Sequence, residues 1–129
     1  MAPTVLDLSP EALRKYRPLE AVRRRRRKTS AVVAKRRRRA RSVVRKTVKL
    51  LREEYSAKHI YVFGSLTRYG GFSLWSDIDI AATGIPPKRF FEAVGAVTGL
   101  SSEFKIDLVD LETCPPAMSE SIKETGRKL

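Results

Sequence analysis

The chain has 129 residues, 42 % of them hydrophobic, which suits one small domain with a modest core. Its 27 Lys/Arg outnumber its 14 Asp/Glu for a net charge of +13, and the excess sits at one end: residues 1–57 carry +14 and residues 58–129 carry −1. The single cysteine, Cys114, excludes an internal disulfide and a Cys-rich zinc site; no apolar run reaches membrane-spanning length and no stretch resembles a signal peptide, so a cytoplasmic, membrane-free protein is expected.

Residues 1–28 read as a short arm. Ser9-Pro10-Glu11 looks like a helix start, and the chain should loosen around Arg17-Pro18, because proline disfavours helix in the residue before it. The six cations Arg23 to Lys28 repel one another and are expected to stay mobile until they meet a polyanion. Such a segment attracts RNA, DNA or acidic protein surfaces by counterion release and steering, and charge alone does not choose among them.

Thr29 or Ser30 should cap a long helix reaching about Ser56. Its second half shows the one-face spacing Val44, Val48, Leu51, Tyr55. The first half carries Lys35 to Arg39 on all sides, so it must face water or a partner.

From His59 the pattern changes. His59 to Phe63 is rich in β-branched and aromatic residues and reads as a strand, broken at Gly64-Ser65. A loop with Gly70-Gly71 follows, then the alternating strand Asp77 to Ala82, ended by Gly84. Pro86-Pro87 opens a helix to about Val97, with Phe90, Val94 and Val97 inward. Phe104 to Val109 is a third strand, and Pro115-Pro116 begins a last helix. The order helix, strand, strand, helix, strand, helix implies an α+β fold, a small mixed sheet flanked by helices behind a long N-terminal helix. Phe90, Phe91 and Phe104 are expected in the core, and Trp75 is expected to anchor its loop against that core. His59 lacks a second histidine and Cys114 lacks an activating base, so both read as structural.

Asp77 and Asp79 lie two apart on a strand, so both carboxylates emerge on one face while Ile78 and Ile80 go inward. Two such carboxylates repel unless a cation sits between them, and oxygen ligands of this kind suit Mg²⁺ or Mn²⁺. Exposed strand edges also carry such pairs without any metal. Gly64-Ser65 favours the chemical reading: at a strand end, backbone N–H groups can face an anion, glycine lets a phosphate approach, and the serine hydroxyl adds a donor. Arg68, one helical turn beyond Ser65, could supply a cation to the same phosphates.

The run Val62-Phe63-Gly64-Ser65 through Arg68, Gly70 and Trp75-Ser76-Asp77-Ile78-Asp79-Ile80 resembles the signature of the minimal nucleotidyltransferases, small members of the DNA polymerase β-like superfamily. The resemblance continues through Ile106 to Leu111 and Ile122 to Gly126, and covers about residues 43–129, leaving 1–42 as an arginine-rich arm and helix start. Here the gap between Gly-Ser and Asp-x-Asp is slightly longer than is common in the family, with Tyr69 ahead of Gly70. The resemblance implies a polymerase β palm-like fold and a third acid on the neighbouring strand. Asp107 matches it, whereas Asp110 faces the other side and Glu103 and Glu112 are poorer candidates. It further implies Asp77, Asp79 and Asp107 as catalytic and metal-binding residues, Gly64, Ser65, Arg68 and Ser76 at the nucleotide phosphates, and ATP as substrate with Mg²⁺ or Mn²⁺ as cofactor. The implied activity is transfer of AMP to a hydroxyl of a partner protein. The implied partner is a HEPN-type toxin, with this chain as its antitoxin in an oligomeric complex. The alternative is a non-catalytic module that neutralises a toxin or binds RNA through the basic arm.

Overall fold

The computed structural model describes residues 18–67 and 71–129. The chain divides into two compact units, Met1–Val32 and Val33–Leu129. The expected helix start at Ser9-Pro10 lies outside the described residues.

Helix α1 spans Pro18–Tyr55. It corrects two expectations: Arg23 to Lys28 are helical rather than loose, and Thr29 and Ser30 sit inside the helix rather than capping it. Arginine and lysine are good helix formers, and their long side chains carry the charge out into screening solvent, so repulsion does not break the rod. Pro18 stands at its first position, where a missing N–H costs nothing.

In the second unit α1 buries Ala40, Val44, Thr47, Leu51 and Tyr55, with Val48 packed at the margin. This is the predicted stripe, widened by Ala40 and Thr47. The Thr47 hydroxyl satisfies itself by donating to the Val43 carbonyl (2.8 Å). The helix stops at Tyr55; Ser56 turns with φ +60°, and the Ala57 N–H returns to the Leu51 carbonyl at 3.0 Å.

Four strands follow: β1 (Ile60–Phe63), β2 (Ile78–Ala82), β3 (Ile106–Asp110) and β4 (Arg127–Lys128). The sheet order is β3-β2-β1-β4, with β1 antiparallel to β2 and β4, and β2 parallel to β3. Three strands were legible in the sequence. The fourth is a two-residue edge of Arg and Lys, too short and too polar to show any alternation.

Alternation along the strands separates two cores. Ile60, Val62, Ile78, Ile80, Ala82 and Ile106 join α1 and the helix α2 (Phe90–Thr98) in the main core. Tyr61, Phe63, Ala81 and Val109 face the other way and pack with Leu111, Cys114 and, from helix α3 (Pro116–Thr125), Ile122. Helix α2 enters through a 3₁₀ turn, Pro87–Arg89, and buries Ala93 and Val97, with Phe90 packed beside them. Phe91, expected inside, is 89 % exposed, because it lies about 100° around the helix from Phe90. Phe104 is buried as expected. No described helix is long and apolar enough to cross a membrane.

Candidate active site

The register of the sheet assembles this site. Phe63, the last residue of β1, pairs with Asp79 on β2, and Asp79 pairs with Asp107 on β3. Parallel partners in register point to the same side, so Asp79 and Asp107 stand on neighbouring strands on the α3 face of the sheet. Their neighbours Ile78, Ile80 and Ile106 are buried on the opposite face, which holds the strands in this orientation. Asp77 precedes β2 and is exposed.

Gly64 begins a 3₁₀ turn, Gly64–Leu66, with φ +70°, a region that favours glycine. A Cβ on Gly64 would collide with the Asp79 carboxylate. The positive φ is what calls for glycine here, and a side chain would in addition make the Asp79 carboxylate turn aside. Thr67 closes the turn, donating its N–H (3.1 Å) and its hydroxyl (2.8 Å) to the Gly64 carbonyl. The Ser65 hydroxyl reaches the Asp77 carbonyl at 3.5 Å, a long contact that leaves it available to other acceptors.

Burial raises the pKa of Asp79 above the usual carboxylate range. The negative charges of Asp107 and Asp77 raise it further, while Lys105 pulls it down. Two neighbouring acids thus add negative charge at Asp79, an arrangement that favours a cation there. Lys105 lies 3.7 Å from Asp107, a loose and exposed pairing. Among the described residues no three acid, histidine or cysteine side chains are gathered closely enough to hold a metal ion together. The donor set, carboxylate oxygens alone, fits a hard divalent cation in its chemistry, although the side chains are not drawn in around a common point.

The other candidate acids are engaged elsewhere. Asp110 Oδ1 accepts the Glu112 N–H (2.9 Å), Glu103 binds Arg39 (2.8 Å), and Glu112 Oε1 accepts the Gly84 N–H (3.2 Å). Arg68 lies outside the described residues.

Ser76 serves the loop before β2. Its hydroxyl accepts the Ser73 N–H (2.8 Å) and sits 3.1 Å from the Ser73 hydroxyl, and its carbonyl accepts a bond from Arg36 (3.0 Å). The Arg36 guanidinium lies against the rings of Phe104 (4.3 Å) and Phe72 (5.4 Å), so one cation of α1 fixes the loop that leads into Asp77. Sequence reasoning missed Arg36, since nothing in the run Lys35 to Arg39 singles it out. Trp75 overturns its expectation: it is 89 % exposed, held out by a loop whose own polar groups are bonded together.

A family profile described as Polymerase beta, Nucleotidyltransferase matches residues 45–129. A search of curated protein sequences gives no match. Three solved structures are similar. A substituted form of a toxin–antitoxin complex, MntA-HpeT, matches at 27 % identity and TM-score 0.53, over 66 % of this chain and 69 % of that one. A complex of tri-AMPylated HEPN toxin with MNT antitoxin from Shewanella oneidensis matches at 25 % identity and TM-score 0.53, over 69 % and 70 %. A toxin–antitoxin structure with AMP-PNP matches at 26 % identity and TM-score 0.54, over 65 % and 69 %.

Proposed function

Because the chain belongs to the polymerase β nucleotidyltransferase family, we propose that it moves AMP from ATP to a hydroxyl of a partner protein, as the antitoxin of a HEPN-type toxin. The observation that carries this reading is the Gly64 turn set against Asp79, with Asp107 in register beside it. The similar complexes support the choice of nucleotide and partner: in one the toxin is AMPylated, and another contains AMP-PNP.

In this reading the Gly64 turn admits the phosphates and the Ser65 hydroxyl donates to them, with Arg68 and Ser76 as further candidates at the phosphates. Asp77 and Asp79 would hold Mg²⁺ or Mn²⁺, with Asp107 as the third ligand; when bound, the metal supplies positive charge to the attacking and leaving oxygens of an in-line displacement. Asp107 would take the proton of the acceptor hydroxyl as its oxygen bonds to the α-phosphorus of ATP and pyrophosphate leaves. The acids alone would repel a triphosphate, which is why the cation belongs to the proposal.

Incubation with labelled ATP, Mg²⁺ and the product of the adjacent gene tests the reading. Label should appear on the partner, and Asp77→Ala should lower the rate by about a hundredfold or more, on the scale of a lost electrostatic contact to the transition state. Unchanged turnover in that variant would reject the assignment. The dense cations of α1 favour a second reading, a binding module: partner capture or salt-sensitive RNA binding without label on the partner would support it.

A further inference from the structure

Four arginines that the transfer site does not use converge on the β4 side of β1. Arg37, Arg41 and Arg45 follow one another at four-residue steps along one face of α1, about 6 Å apart along its axis. Arg127 of β4 faces them. Between them lies a cavity of about 480 Å³, walled by Arg37, Arg41, Thr67, Glu124 and Arg127. A second chamber of about 250 Å³ shares Arg41, Leu66 and Arg127 with the first, and its floor is aliphatic, made by Val44, Val62 and Leu129.

This arrangement is electrostatically unfinished. Among the described residues none of the four arginines has a carboxylate partner, and Glu124 is the only acid in the walls. Arg37 Nε is buried with no hydrogen-bond partner, a state that is costly for any polar group. Guanidinium forks match phosphate oxygens two at a time, and a chamber floored by aliphatic side chains and walled by Arg41, Arg45 and Arg127 suits a flat ring that can lie against both.

We infer that this double cavity binds one nucleotide unit, its phosphate among Arg37, Arg41 and Arg127 and its base in the aliphatic chamber. The acids of the transfer site lie on β2 and β3, across β1 from β4, and do not line this cavity; the two sites meet at the turn from Gly64 to Thr67, whose Leu66 and Thr67 form part of the cavity wall. A free nucleotide and one unit of a single-stranded RNA present the same chemistry here.

The test uses the full chain in the presence of a chelator, so that metal-dependent binding at the acids is silent. AMP is titrated by calorimetry, and a labelled short oligoadenylate by fluorescence anisotropy at physiological salt. R41Q/R127Q should weaken binding by about tenfold or more, the scale of a lost charge-assisted contact, while the charge-matched R25Q/R26Q should change it by less than about threefold. Loss of AMP binding in R41Q/R127Q assigns the site to a free nucleotide; loss confined to the oligoadenylate assigns it to a strand. Equal losses in both variants, or binding by R41Q/R127Q equal to that of the unaltered chain, overturns the inference. Circular dichroism melts report whether the double variant folds, and R41Q alone, at an exposed helix position, repeats the comparison if it does not.

Discussion

Gly64 and Asp79 constrain each other at the scale of single residues. A side chain at Gly64 meets both the φ +70° backbone and the Asp79 carboxylate. Gly64→Ala should therefore cost about 1–2 kcal/mol in urea unfolding, the left-handed penalty for an L-residue, with a smaller steric term for turning the Asp79 carboxylate aside. Part of that cost should return in the Gly64→Ala/Asp79→Ala double variant, since the obstructing carboxylate is gone; strict additivity would contradict the contact. Asp79 also predicts a pH effect. Its folded pKa stands above its unfolded one, so between the two the folded chain holds more protons and stability falls as pH rises through that window. Above the window the ionised carboxylate is a net burden on the fold. Asp79→Asn should therefore raise the melting temperature by a few degrees at neutral pH without divalent cation, and the gain should vanish in acid. A variant no more stable than the parent at neutral pH would show that burial and the neighbouring acids impose no such burden.

The elements that bring these residues together were partly legible in the sequence. The period of two in Asp77 to Ala82 marks the face carrying Ile78, Ile80 and Ala82, and the spacing of Val44, Leu51 and Tyr55 marks one face of α1; the structure buries both, and buries Ala81 on the opposite face of β2 as well. The pairing of Asp79 with Asp107 was expected only through a family resemblance, because strand periodicity orients side chains and says nothing about which strand lies alongside. What was missed has physical reasons. β4 is a two-residue edge with no apolar face to show. Arg23 to Lys28 looked too repulsive to fold, yet helix propensity and solvent screening outweigh that repulsion. Trp75 and Phe91 were expected in the core and both are exposed: the bonded loop around Ser73 and Ser76 holds Trp75 out, and Phe90 takes the inward position on α2. Hydrophobic identity sets what burial is worth; backbone direction decides who receives it.

Over the whole molecule the chemistry is divided by charge. The family profile covers residues 45–129, and the cation-rich part of α1 lies almost entirely before it, so the near-neutral part of the chain carries the family's fold and most of the excess charge lies outside the matched residues. The exposed loop before β2 gives the molecule a further property. Trp75 is the only tryptophan, and it stands in water two residues before Asp77. With excitation at the red edge, where its four tyrosines absorb little, emission from the chain therefore arises from one indole beside Asp77. In the isolated chain the spectrum should be red-shifted and readily quenched by iodide. Anything that docks there should shift it to the blue and shield it, giving an unlabelled optical titration of occupancy.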